Sequence, residues 1–189
     1  MKNSKIVTIT GAAGQVASYL IPMIASGNLY GKNTNIELRL LDLEEKKEYL
    51  YGYAMEIDDC AYPLIESIIV TSDYEEAFEN TDVAVLIGAK PRVKGMKRSD
   101  LLISNYNIFQ NQGKILNEVA SKDVRVMVVG NPANTNCLVT MKNAPDIPTE
   151  RFSSMTFLDS NRAYSILAKK IKVKTKAIEN IILWGNHGE

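Results

Sequence analysis

Histidine occurs once in this 189-residue sequence and cysteine only twice, at Cys60 and Cys137. With no C-x-x-C or other metal-ligand spacing, these residues do not make up a zinc site, and no metal is expected. Two distant thiols also fall short of a disulfide scaffold, so reduced, mostly buried cysteines in a cytoplasmic protein are expected. Net charge is absent, with 22 Lys and Arg against 22 Asp and Glu. That balance argues against a dedicated nucleic-acid or polybasic membrane surface. No apolar run approaches the roughly 18 residues that a membrane span needs. Met1-Lys2-Asn3-Ser4 passes almost directly into the apolar Ile6-Val7-Thr8-Ile9, so no signal or transit sequence is expected. Repeats and low-complexity tracts are missing too. A composition of 46% hydrophobic and 23% charged residues predicts an ordinary soluble globular protein.

Within that frame, apolar runs of strand length recur at Ile6 to Ile9, Ile36 to Leu41, Ile68 to Val70, Val83 to Ile87 and Val124 to Val129. They are nearly continuous in Val, Ile and Leu, as strands buried on both faces are. Helical stretches separate them: Gln15 to Gly27 with Pro22 inside, Glu44 to Cys60, and Ser99 to Ala120 with Ser99 as the cap and Gly113 as a weak point. The alternation predicts an α/β fold, a doubly wound parallel sheet with helices on both faces. After Pro145-Asp146-Ile147-Pro148 the alternation loses regularity. The expected division is therefore 1–150 as one domain and 151–189 as the start of another, with a helix near Asn161 to Ile171 and a strand from Ile178 to Trp184.

The first strand runs into Gly11-Ala12-Ala13-Gly14-Gln15-Val16-Ala17. A tight turn at Gly11 and a close backbone approach at Gly14, opening a helix whose first N–H groups are free, suit a pyrophosphate. Two glycines alone are a common structural turn. Asp42 strengthens the reading, since it follows directly on the second strand, where a carboxylate can accept from a ribose diol and repel a 2′-phosphate. NAD is thus favoured over NADP. The offset from Gly14 exceeds the usual twenty or so residues, and an inserted loop from Gly27 to Asn35 accounts for it.

Lys90-Pro91-Arg92-Val93-Lys94-Gly95-Met96-Lys97-Arg98 carries five cations in nine residues, directly after the strand ending near Gly88. Such a loop is often only solvated. At the carboxyl end of a central strand, however, it suits an anionic substrate. Asp159 and Arg162 stand three apart, on one helical face, and an arginine fork suits a small carboxylic acid. A carboxylate near His187 would hold the imidazole by one nitrogen and leave the other to exchange a proton.

Taken together, Gly11-Ala12-Ala13-Gly14-Gln15, Met55-Glu56-Ile57-Asp58-Asp59-Cys60-Ala61, Pro91-Arg92, Gly130-Asn131-Pro132-Ala133-Asn134-Thr135-Asn136-Cys137, Leu158-Asp159-Ser160-Asn161-Arg162-Ala163 and Trp184-Gly185-Asn186-His187 resemble the lactate/malate dehydrogenase family, in its cytosolic malate dehydrogenase branch. The resemblance implies a Rossmann domain that binds NAD, followed by the beginning of a substrate domain. It implies that Gly11, Ala12, Ala13, Gly14, Gln15, Val16, Ala17, Asp42, Asn105, Gln112, Val129, Gly130 and Asn131 hold the cofactor. His187 would be the acid/base residue and Asp159 its orienting partner. Arg92, Arg98, Asn131 and Arg162 would bind a small dicarboxylate, malate or oxaloacetate, and the intact protein would be a homodimer. Arg92 favours a dicarboxylate over lactate. Lys90 before Pro91, and Gly188 where many of these enzymes have serine, depart from the pattern. The missing remainder of the substrate domain implies a fragment with weak NAD binding and little turnover.

Two other readings compete. A short-chain dehydrogenase or epimerase needs a tyrosine with a lysine four residues later, and none of the nine tyrosines has one; Tyr164 is followed by Ala168 at that place. A dinucleotide-binding module without turnover is compatible with every motif named.

Overall fold

In the computed structural model the described residues are 4–91 and 93–183, with Arg98 described in its backbone only. Six strands form one parallel sheet: β1 (Ser4–Thr10), β2 (Asn35–Leu41), β3 (Ile65–Thr71), β4 (Val83–Leu86), β5 (Arg125–Val128) and β6 (Phe152–Ser154). Their order is β3-β2-β1-β4-β5-β6. The order reverses between β1 and β4, and the expected doubly wound Rossmann arrangement follows from it.

Alternation along the central strands divides the core into two layers. Val83 and Val85 of β4 pack with Val7 and Ile9 of β1 and with helices α1 (Gln15–Ala25) and α2 (Lys47–Asp59). Ala84 and Leu86 pack on the other face with Phe78, Phe109 and Leu116, from helices α3 (Tyr74–Phe78) and α4 (Arg98–Val119). Helix α5 (Ala133–Lys142) lies against α4 on that side. Arg39 of β2 is buried there, and its Nη1 donates to the carbonyls of Glu76 and Glu79 at 2.7 Å each. It thereby neutralises the carbonyl end of α3.

The chain divides into two compact units, Met1–Ser154 and Met155–Glu189. Strand β6 pairs with β5, so the sheet of the first unit continues past the Pro145–Pro148 loop. The second unit contains helix α6 (Phe157–Ile171) and a 3-10 turn at Thr175–Ala177. Among the described residues no helix is long and apolar enough to cross a membrane.

Several local expectations change. Helix α2 begins at Lys47, because Glu44–Lys46 forms a 3-10 turn first. Ser99 does not cap α4. Lys97 is the last extended residue, and its N–H donates to the Asp100 carboxylate at 3.3 Å, which supplies the reciprocal half of a capping box. Ile178 to Leu183 do not form a strand and have no ladder partner among the described residues; Trp184 lies outside them. One amide of that segment is satisfied by a side chain, Ile181 N–H donating to the Tyr164 hydroxyl at 3.1 Å. Cys60 is exposed rather than buried, as it follows the last turn of α2. Cys137 is half-buried, and burial pushes its thiol above the ordinary range.

Pro22 costs α1 less than its position suggests. Proline has no N–H, so the carbonyl of Ser18, four residues earlier, loses its helical donor. The hydroxyl of Tyr53 on α2 donates to that carbonyl at 3.1 Å. One cross-helix bond thus fills the gap and ties α1 to α2. Removing it should leave a partly buried acceptor unmet. Tyr53→Phe should therefore cost about 1–2 kcal/mol in urea unfolding. In a Pro22→Ala background, where residue 22 can donate to Ser18, that cost should shrink; an equal cost in both backgrounds would contradict the substitution of one donor for the other.

Gly113 proves to be a packing requirement. A Cβ there would lie 2.5 Å from the Thr140 carbonyl oxygen and 3.1 Å from Asn143 Cβ, so α4 and α5 meet backbone to backbone. Helix propensity alone predicts that Gly113→Ala stabilises by about 1 kcal/mol. Overpacking against a backbone atom should dominate, with a net loss of about 1–3 kcal/mol in urea unfolding. A stabilised variant would show that the helices separate freely.

Candidate functional site

The loop after β1 keeps its shape by using its own amides. Gly14 N–H donates to the Gly11 carbonyl at 2.9 Å, Ala12 N–H to the Leu41 carbonyl at 3.2 Å, and Ala13 N–H to the Asp42 carboxylate at 2.9 Å. Gly11 has φ +66°, a left-handed conformation that disfavours a side chain. Helix α1 then opens at Gln15 with no side-chain cap and no acid in its first turn. The N–H groups of Gln15, Val16 and Ala17 have no helical acceptor, and Gln15 and Val16 are exposed. The helix start is accordingly a positive, uncapped end, suited to an anion.

Gly11 also sets the position of the neighbouring turn. A Cβ on Gly11 would lie 2.6 Å from both the Cα and the nitrogen of Gly88, just past the end of β4. Gly88 N–H donates to the Thr10 carbonyl at 3.1 Å. The two turns therefore lie against each other at the point where strand order reverses.

Asp42 is half-buried at the tip of β2. One carboxylate oxygen accepts from Ala13 N–H and the other from its neighbour Leu43 N–H at 2.8 Å. Each oxygen carries two lone pairs, so acceptor capacity remains for a diol. Two residues on, Glu44 accepts from the Ser72 hydroxyl, which holds its carboxyl below the ordinary range. Both carboxylates lie on the strand-end segment that follows β2, and together they make it negative.

On the other side of the switch point is a cleft of about 400 Å³, within the range of about 300–1,000 Å³ usual for small-molecule sites. Val16 of α1 forms one wall, Ile87 and Ala89 continue from β4, and Leu101 comes from α4. Lys90 and Pro91 bring in the basic loop, and Val129, Gly130 and Asn131 form the turn after β5. Asn131 is exposed, whereas Gly130 is buried, and a Cβ at Gly130 would lie 2.9 Å from Ala89 Cβ. These observations fit a dinucleotide: an uncapped helix start, an acidic strand tip tied to it, and an apolar cleft alongside.

The remaining candidate residues are distributed less uniformly. Asn105 and Gln112 are buried on α4 and outside the cleft lining. Gln112 Oε1 has no hydrogen-bond partner among the described residues. Lys94 and Lys97 are exposed on the loop; Arg92 lies outside the described residues, as does the Arg98 side chain. In the second unit, Arg162 Nη1 donates to Asp159 Oδ1 at 3.3 Å on α6. His187 lies outside the described residues.

Gly88 and Asn136 carry weight that the motifs did not reveal. Asn136 is buried, and its Nδ2 donates to the Gly130 carbonyl at 2.9 Å, fixing the turn that presents Asn131. A glycine directly after the second central strand was the available signal for Gly88. For Asn136, position within the Gly130–Cys137 motif was the only one.

Comparison with known proteins agrees with this geometry. Residues 5–153 match the family described as lactate/malate dehydrogenase, NAD binding domain. The chain is 51% identical over 184 residues to malate dehydrogenase of Rubrobacter xylanophilus, covering 97% of this chain and 57% of that protein. Malate dehydrogenase from Naegleria fowleri superposes with a TM-score of 0.87 at 43% identity, over 92% of this chain and 53% of that one. Trichomonas vaginalis lactate dehydrogenase, solved with NADH and oxamate, gives a TM-score of 0.90 at 43% identity over 97% and 55%. The chain thus spans little more than half the length of these relatives. With the Gly11 loop, Asp42 and the strand order all in agreement with the match, the chain belongs to the lactate/malate dehydrogenase family through its NAD-binding domain.

Proposed function

We propose that the chain holds NAD along the C-terminal ends of β1, β2, β4 and β5 and that, in a protein of its relatives' length, it oxidises (S)-malate reversibly to oxaloacetate. The observation that carries the cofactor reading is the 2.9 Å bond from Ala13 N–H to Asp42, which joins the acidic strand tip to the uncapped start of α1. Gln15, Val16 and Ala17 would present N–H groups to the diphosphate, with Gly11 to Gly14 as the tight turn beneath. Asp42 would accept from the ribose hydroxyls, and its charge together with that of Glu44 would disfavour a 2′-phosphate. Val129, Gly130 and Asn131 would form the wall beside the nicotinamide. Asn105 and Gln112 complete the residues that the family resemblance assigns to the cofactor.

Bound NAD supplies acceptance of a hydride. The chain's residues would do the rest: Asn131 binds the reacting oxygen, Arg92, Arg98 and Arg162 hold carboxylates, and His187 takes the hydroxyl proton while Asp159 orients it. Family relatives at 51% and 43% identity support malate as the substrate. Similarity to the Trichomonas lactate dehydrogenase keeps lactate as a second reading, with Arg92 favouring the dicarboxylate. Exposed Tyr19 and Met23 on α1, and Tyr49 and Met55 on α2, support a homodimer. Two free thiols support a cytoplasmic location.

Asp42→Ser should weaken NADH binding about tenfold in fluorescence titration and reduce the preference over NADPH. An unchanged affinity ratio would remove Asp42 from the site. For the reaction, a chain of the relatives' length should reduce oxaloacetate faster than pyruvate at equal NADH. Its Arg92→Gln variant should lose about tenfold or more in kcat/KM for oxaloacetate with a smaller loss for pyruvate. Equal losses would overturn the dicarboxylate assignment.

A further inference from the structure

The turn after β5 is held from two sides. Gly130 N–H donates to the Leu86 carbonyl at 3.1 Å, and Val129 N–H donates to the same oxygen at 2.9 Å, so β4 fixes the start of the turn. A Cβ on Gly130 would lie 2.9 Å from Ala89 Cβ and 3.0 Å from both the Ile87 carbonyl oxygen and Phe109 Cζ, which hems in its Cα. The next peptide unit is held by α5. Asn136, buried in the first turn of that helix, donates from Nδ2 to the Gly130 carbonyl at 2.9 Å. Asn136 is itself pinned, its N–H donating to the Pro132 carbonyl at 2.9 Å and its carbonyl accepting from the Thr140 hydroxyl at 2.9 Å.

A planar trans peptide points its carbonyl and its N–H in opposite directions. The Gly130–Asn131 peptide is trans, and its carbonyl is turned inward to Asn136, so the Asn131 N–H points away from α5. Asn131 is exposed and lines the cleft, and its N–H donates to no acceptor among the described residues. The rim thus carries a backbone donor whose direction Asn136 sets. Glycine at position 130 puts little restraint of its own on rotation of that peptide. A flipped peptide would offer the cleft a carbonyl in place of the N–H, lone pair against lone pair for any acceptor on a ligand.

We propose that Asn136 is a positioning residue for the nicotinamide end of the cofactor: it locks the Gly130–Asn131 peptide so that the Asn131 N–H is presented to an oxygen of the nicotinamide riboside. This rests on the reading of Val129, Gly130 and Asn131 as the wall beside the nicotinamide. Asn136 is sealed from solvent, so its effect reaches the ligand through the peptide that it holds. The start of α1, where the diphosphate would sit, belongs to a different turn and should not feel the change.

The test compares NADH with ADP, which carries the adenosine and the diphosphate but lacks the nicotinamide riboside. Both are titrated against the 189-residue chain and its Asn136→Ala variant, NADH by fluorescence and ADP by calorimetry. In the variant NADH should bind about three- to tenfold more weakly, the share of one hydrogen bond, while ADP stays within about twofold. Equal weakening of both ligands would reduce Asn136 to a general support of the fold, and unchanged NADH affinity would show that the peptide keeps its direction without it; either result overturns the proposal. By NMR, NADH should shift the Asn131 amide of the wild-type chain, ADP should not, and the response should be lost in Asn136→Ala. Should the variant not fold, the wild-type chain decides: an Asn131 amide unmoved by NADH, or moved equally by ADP, would overturn the proposal. Failure of the wild-type chain to bind either ligand would remove the cofactor reading and the proposal with it, whereas ADP binding that shifts Gln15, Val16 and Ala17 keeps that reading in place whatever Asn131 does.

Discussion

The contact between the turns after β1 and β4 determines the rest of the site. Gly11 and Gly88 approach so closely that a Cβ on the former would meet the latter's backbone at 2.6 Å. Two consequences follow from that contact. Strand β1 can deliver the start of α1 to the sheet's C-terminal edge, and β4 can turn away past Ala89 into the basic loop. A crevice opens where strand order reverses because the two connections leave on opposite faces. Any side chain at Gly11 would force the turns apart and change both the helix start and the loop root.

Around this contact, polar side chains fix backbone positions. Asp42 holds Ala13, Asn105 holds Lys90, and Asn136 holds Gly130. Each spends hydrogen bonds on backbone at the rim, and of the residues so held Lys90 and Gly130 line the cleft. Two of the three are almost wholly buried, where an unmet partner would cost about 1–3 kcal/mol. The rim is thus preorganised, while the exposed side chains of Gln15, Val16, Lys90 and Asn131 remain available to ligands.

Much of this was legible in the residues, for definable reasons. Strands β1, β4 and β5 are largely apolar runs, and β2 is one interrupted by Glu37 and Arg39; such runs fit the interior of a parallel sheet. The Gly11 loop and Asp42 could be read because the chemistry demands those residue types at strand ends. What escaped was tertiary in origin. Strand β6 is three residues long and exists only because β5 offers a partner, and the largely apolar Ile178–Leu183 segment finds none among the described residues. Ser99 looked like a cap, but Asp100 reached back to Lys97 instead. Gly113 suggested a weak helix until α5 was found against it, and Pro22 a bent one until Tyr53 supplied the missing donor. The resemblance groups Asn105 with the cofactor residues, and only its hydrogen-bond partners reveal the tie to Lys90.

The central claim is that the start of α1 and the turn after β5 are two ends of one dinucleotide site. Hydrogen exchange of the chain with and without saturating NADH tests it directly. The account predicts slowed exchange at Gln15, Val16 and Ala17 together with Gly130 and Asn131, and no change at the carboxyl end of α5. Protection at only one of the two turns, or at neither, would contradict it.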